Sequence, residues 1–317
     1  MSIKPSFKTI TVGYKVVFVL SLIWVSAVAG CASMRTPLDP IDSDLYASGT
    51  AYTYQPLNPT TVWIRDPTAK EIKDGHLDAD ETSNDFKKAL LRDLDTEAVR
   101  IALNTLGGDA KFSAGVVGAS VAGESYVLFV DYIKYFASSK IVDIDYKVIN
   151  AKGIESKKQF KGTVPIYIGI GLRIRAEFQA HKSGLNISGL PAIAFAANSN
   201  GISGRLTVQT LGITGQEVTG LMPIISDISI ASIQSAVQAV AAIKAKIYED
   251  STTVYPKIVG FETPSQDPVL IRAITEKIYA SQEWICPVIK EVKNLQGKTE
   301  NILWIDWDSP YPSDENK

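Results

Sequence analysis

Chemistry needs nucleophiles, titratable groups or metal ligands at a usable spacing, and this chain offers few of them. It holds two histidines. His76 sits in Asp74-Gly75-His76-Leu77-Asp78-Ala79-Asp80-Glu81, a collection of oxygen ligands and one imidazole of the kind that binds a divalent ion. The run lacks the spacing and the twelfth-position glutamate of an EF-hand, and a solvated acidic loop ahead of a helix accounts for it better. His181 precedes Lys182-Ser183-Gly184, the setting of an exposed turn. Asp143 and Asp145 alternate along a strand pattern, which puts their carboxylates about 7 Å apart. Such a separation suits glycoside chemistry in principle, but polar strand faces carry such pairs routinely. Trp304, Trp307 and Tyr311 could stack on a sugar ring; packing of a last strand explains them more simply. No His-Glu-x-x-His zinc pattern and no Gly-x-Ser-x-Gly elbow is present. Gly115-Val116-Val117-Gly118 and Gly169-Ile170-Gly171 do not have the spacing of a phosphate cradle, so no cofactor is implied.

The charges with the clearest pattern lie on the run Val164 to Phe178. Its even positions are all apolar, while Arg173, Arg175 and Glu177 share the odd face. Strict alternation of this kind marks a half-buried strand. The three charged residues then form a solvated or partner-facing stripe, and they are the candidate protein-binding residues.

The elements that would position these groups point to an α+β fold: an antiparallel, β-rich central sheet packed with flanking amphipathic helices. A helix is expected from Ser83 or its neighbours, with Phe86, Leu90 and Leu94 on its apolar face. It is stopped by Gly107-Gly108 or broken near Asp95. Tyr126 to Phe136 and Ile141 to Val148 read as two strands of a hairpin turning at Ala137 to Lys140. Strands are also expected at Ile202 to Leu211, Thr253 to Phe261 and Ile302 to Trp307. A helix is expected over residues 226 to 249, capped by Ser226 or Ser229, and another from Asp267-Pro268.

Composition bounds the rest. Hydrophobic residues make up 45% and charged residues 21% of the 317, ordinary globular proportions that exclude a disordered chain. The first thirty residues form three parts: the basic Lys4, Lys8 and Lys15, an apolar run from Val16 to Val28, and the small Ala29 and Gly30. That is the order of a secretory signal, and the apolar run is short for a bilayer span of about 20 residues. Of 32 basic residues, removal of those three lysines leaves 29 against 34 acidic, a formal charge of −5. Without a basic excess, nucleic acid is not an expected partner.

Val28-Ala29-Gly30-Cys31 resembles the lipobox of bacterial lipoproteins. The resemblance covers the signal and cleavage site alone. It implies that the chain is cut between Gly30 and Cys31, that the Cys31 thiol carries a diacylglycerol, and that the membrane is a partner through this lipid. Ala32, where an aspartate would hold a lipoprotein at the inner membrane, favours the outer membrane. Cys286 then has no partner for a disulfide, so a disulfide framework is not expected.

The domain organisation expected is a signal at 1–30, a proline-rich tether at 31–60 carrying Pro37, Pro40, Pro56 and Pro59, and a globular domain at 61–317. A sub-boundary falls near 262–267. The function that follows is a non-enzymatic lipoprotein of the outer membrane, facing the periplasm and acting on a protein partner or as an envelope scaffold. Two other classes compete: a subunit of an oligomeric outer-membrane channel or secretion complex whose long strands share a barrel, and an envelope hydrolase with an acidic site. The lipobox generates a direct prediction. Cys31→Ser abolishes incorporation of labelled palmitate and leaves uncleaved precursor or released protein. Wild-type labelling and fractionation of that variant would overturn the anchor.

Overall fold

A strand with room for long side chains on both faces needs a cover on each, and the longest strands here are covered twice along their inner halves. The computed structural model describes residues 52–64, 83–106, 112–115, 120–121, 124–149, 153–223, 225–281 and 283–307. In chain order the principal elements are β1 (Thr53–Thr61), α1 (Asn84–Asp93), β2 (Thr96–Leu106), β3 (Phe112–Gly115), β4 (Ser125–Ile149) and β5 (Glu155–Ala180). There follow α2 (Leu190–Asn198), β6 (Ile202–Leu211), α3 (Gln216–Leu221), β7 (Ser226–Asp227), α4 (Ile230–Lys246), β8 (Lys257–Thr263), α5 (Pro268–Tyr279), β9 (Trp284–Lys293) and β10 (Thr299–Asp306). The described residues are mostly β, with antiparallel pairing throughout the large sheet.

That sheet has eight strands in the order β1-β8-β5-β4-β2-β3, with β6 on the far part of β5 and β7 beyond it. β4 and β5 pair along their whole length, from Ser125↔Gln179 to Ile149↔Glu155. The outer edge of β5 is shared: β8 pairs with residues 166–169 and β6 with residues 171–180. β1 lies close to β2 although β8, β5 and β4 stand between them in the strand order, so the sheet is strongly curled. The curl has a local cause. A Cβ at Gly169 would fall 2.2 Å from the Lys134 carbonyl oxygen, and one at Gly171 would fall 2.2 Å from that of Tyr132. Only glycine lets the two backbones approach so closely.

The even face of β5 belongs to the larger core. Ile166, Ile168, Ile170, Leu172, Ile174, Ala176 and Phe178 are buried in one cluster with Ile193 of α2, Ile233 and Ile243 of α4, and Ile271 and Ile274 of α5. The Val164 to Phe178 alternation therefore faces this core. α4 starts at a capping box, Ser229 accepting from the Ser232 amide while Ser232 accepts from Ser229. α5 starts where Asp267 accepts from the Val269 amide, with Pro268 in the first turn. β9 and β10 form a separate antiparallel ribbon, extended in parallel by Trp63–Ile64.

Three expectations need correction, and one open alternative is decided. Residues 53–60, assigned to the tether, are β1, paired with β8 from Thr53↔Thr263 to Thr61↔Lys257, and the compact unit runs Tyr52–Lys317. The two prolines of that segment sit on a sheet edge, where a missing N–H is tolerated. Of the two ends expected for the helix at Phe86, the break near Asp95 is the one found and the stop at Gly107-Gly108 is not: the helix ends at Asp93 and the segment from Thr96 on is β2, where Thr96, Val99, Ile101 and Thr105 favour a strand. The helix expected over 226–249 begins only at Ile230, because Ser226–Asp227 pairs with β6. Finally, β4 does not turn at Ala137 to Lys140. That segment lacks the Gly, Asn or Asp that a tight turn needs, and its alternation continues without a slip.

Burial decides which substitutions matter. Ile170 is fully buried and Ile141 is 75% exposed. Ile170→Ala is expected to cost about 2–5 kcal/mol from lost transfer and an unfilled cavity, and Ile141→Ala within about 0.5 kcal/mol of nothing. Urea unfolding midpoints of the two variants check the contrast; equal midpoints would refute this core.

Candidate functional site

Of the stripe expected to face a partner, Arg173 does the opposite. Its side chain is 2% exposed and lies directly across β4–β5 from Asp131, which is fully buried. The pair is bidentate: Arg173 Nε donates to Asp131 Oδ1 at 2.7 Å and Nη2 to Oδ2 at 2.6 Å. Arg173 also donates to the Leu57 carbonyl of β1 at 2.6 Å and the Val259 carbonyl of β8 at 3.1 Å. The Tyr54 hydroxyl of β1 donates to Asp131 Oδ2 at 2.6 Å. The odd face is buried here because the curled sheet brings β1 and β8 over it, with Val127, Phe129, Ile133, Tyr135, Tyr167 and Val259 making a second core. Burial pushes the Arg173 guanidinium down, but the hydrogen bonds and charge of Asp131 outweigh it and hold the group above its ordinary value. Burial first and Asp131 second push the Tyr54 hydroxyl well up, so it stays a donor.

Around this pair lies a ring of aromatics. Arg100 of β2 stands 5.0 Å from the Tyr167 ring centroid and donates to both Tyr135 and Tyr167 hydroxyls, and Glu262 is 3.4 Å away. Burial lowers Arg100, and the nearby Tyr167, Tyr135 and Glu262 raise it by more. Arg175 and Glu177, half exposed, pair with each other at the margin of this face. The stripe is thus split: Arg173 is a structural clamp, and only its two neighbours reach solvent.

The remaining sequence candidates are dispersed. His181 Nε2 lies 2.7 Å from Ser203 Oγ, a nucleophile-and-base spacing that sequence distance concealed. The pair stands on the exposed surface, and among the described residues no carboxylate hydrogen-bonds the ring's other nitrogen, so nothing orients it for catalysis. Trp307 stacks on Phe136 at 4.9 Å, and Trp304 lies beneath Arg92 and Lys290. A pocket of about 280 Å³ between α1 and the segment after α4 is lined by Lys87, Lys88, Arg92 and Asp250. Its cations are mostly committed: Lys87 donates to the Glu249 and Thr252 carbonyls, and Arg92 to Asp93 and the Leu303 carbonyl. Gly30, Cys31, His76 and Tyr311 lie outside the described residues.

The largest unexplained feature is the far half of the β4–β5 hairpin. β2 leaves β4 at Tyr135, and β8 leaves β5 at Ile166. Val142 and Val164 are still fully buried, but from Asp143 to Ile149 and from Glu155 to Thr163 no residue is. This two-stranded arm extends on the order of 23 Å at roughly 3.3 Å per residue. Asp143 and Asp145, read as a carboxylate pair, lie on its exposed face; Asp143 pairs with Lys161 at 3.5 Å and accepts from Gln159 at 3.3 Å. Its other face carries Ile144, Tyr146 and Phe160, each half-buried and packed at the edge of the larger core. Among the described residues both outer edges of the arm have no strand beside them. No family model matches this chain, and neither a curated protein nor a solved structure does.

The clamp yields two expectations. Arg173→Ala leaves Asp131 buried and uncompensated, and costs about 3–5 kcal/mol, whereas replacing both partners by apolar residues costs less than either single change. In urea titrations, an unaltered midpoint for Arg173→Ala would remove the clamp. Because Tyr54 is held neutral in the fold, its contribution is whole below about pH 10, the ordinary tyrosine value, and is lost as pH rises and the hydroxyl ionises. Tyr54→Phe then shows a shallower loss of stability on the alkaline side.

Proposed function

We propose that this protein is a lipid-anchored component of the bacterial outer membrane, held through Cys31 and facing the periplasm, that works by docking on protein rather than by catalysis. In this reading the body is an α+β unit whose amphipathic helices cover the even face of β5, and its role is to hold an arm at a set distance from the membrane. The observation that carries it is the arm itself: two strands running on past the last strands that flank them, with both edges unpaired among the described residues.

An isolated two-stranded ribbon is marginal in water, and an open edge is a row of backbone donors and acceptors that another strand can satisfy. Adding a strand to such an edge is a general mode of protein recognition: the backbone supplies affinity, and alternate side chains supply choice. The arm is long and mixed in charge, with a half-covered apolar face behind it, so it offers both.

The test replaces residues 143–161 by Asn-Gly, which joins the directly opposed Val142 and Gly162 through a two-residue turn. The expected outcome is a protein that still labels with lipid and unfolds in one cooperative urea transition, at a midpoint lowered by the loss of Ile144, Tyr146 and Phe160 from the edge of the core, but that loses its crosslinked partners in intact cells. Retention of every crosslink would refute the arm as the docking element.

A further inference from the structure

The arm's two edges differ in sign. On its exposed face β4 presents Asp143, Asp145 and Lys147, a net −1, while β5 presents Glu155, Lys157 and Lys161, a net +1. Inside the hairpin this complementarity is only partly used. Asp143 pairs with Lys161, and Lys147 pairs with Glu155 at 2.7 Å. Asp145 instead faces Gln159, and Lys157 faces Lys147, a like charge. Among the described residues neither Asp145 nor Lys157 enters an ion pair. Like charges directly opposed in a sheet are unfavourable. Each strand therefore carries, beside an open edge, one charge whose match is found only on the other edge of the same ribbon.

We propose that the occupant of these edges is a second copy of the chain: the outer edge of β4 in one copy pairs with the outer edge of β5 in the next, setting Asp145 of one against Lys157 of the other. This rests on the reading of the arm as a docking element. A guard against edge pairing would place one sign on both edges and make every copy repel its neighbour; opposite signs attract. Because the two edges differ, the contact is head-to-tail, and assembly proceeds to a closed ring or an open filament rather than stopping at a symmetric dimer. Ile141 and Ile149, 75% and 68% exposed on the same face, would lie at the new junctions.

The test uses the full-length lipidated protein in its own membrane, read by crosslinking and native electrophoresis. Wild type is expected to run as a multimer with self-crosslinks in the arm. Asp145→Lys alone and Lys157→Asp alone each lose assembly, since either change sets like charges at every junction. Co-expression of the two, differently tagged, restores a mixed assembly, because each supplies the charge the other's edge needs. The hairpin of each variant is no better paired in the mixture, so recovery reports contact between copies. Urea midpoints confirm that both fold, and Asp145→Asn and Lys157→Gln, which delete charge without reversing it, weaken assembly less. Monomeric wild type, undiminished assembly of either reversed variant, or no recovery on co-expression would overturn self-pairing. Arm crosslinks to a different protein would also overturn it while leaving the docking reading intact; crosslinks that survive arm replacement would instead defeat the docking reading.

Discussion

One buried ion pair governs the architecture. Asp131 and Arg173 face each other in the inner half of the longest hairpin, where a curled sheet excludes water. Two such charges taken out of solvent are costly unless each is surrounded by good partners. The solution here draws on four strands: β4 and β5 supply the charges, while β1 and β8 supply the Tyr54 hydroxyl and the Leu57 and Val259 carbonyls. The clamp therefore enforces closure, since β1 cannot leave without stranding a guanidinium donor and a carboxylate acceptor. The glycines at 169 and 171 belong to the same arrangement, because they let the two long strands approach where the sheet bends over the pair.

The sequence conveyed the even face well and the odd face badly. Eight successive apolar even positions of β5, from Val164 to Phe178, suit a core, and all eight lie in one. The Asp267-Pro268 signal also located a helix start, and Ser229, one of the two caps weighed for the helix after 226, is the one used. The odd face carries Arg173, Arg175 and Glu177, and alternation alone cannot tell a solvated row from one roofed by distant strands. A signal was present in Asp131, the sole carboxylate within the apolar run Tyr126 to Phe136. A lone acid and a basic residue in two strands buried on one face ask for each other. The roof itself was illegible, because β1 lies in a proline-rich stretch whose composition suits a tether and whose partner strand is far away in sequence.

The candidate site follows the same division. Asp143 and Asp145 were visible as a pair, yet their importance lies in the strand they stand on. The turn expected at Ala137 to Lys140 would have shortened the hairpin to the body. Without it, β4 runs straight past the last residue its neighbour β2 reaches, and the polar alternation that looked like an ordinary solvated face becomes the outer face of a ribbon whose edges no described strand pairs. Body and arm thus have opposite electrostatic designs: one seals its charges in by pairing them across four strands, and the other leaves two unmatched.

The clamp also carries a timing consequence. Tyr54 and Val259, brought together at its roof, are separated by 205 residues. At synthesis rates of about 5–20 residues per second, roughly 10–40 s pass between the emergence of the first and the second. Throughout that interval β1 has no strand to join, and Arg173, once made, still lacks its Val259 acceptor, so the inner core cannot close progressively. Contacts of such long range make folding slow, and the nascent chain must be kept open until nearly all of it is made. A protein built this way matures in one late step, which ties its N-terminal strand, and whatever that strand is attached to, to the completion of the whole body.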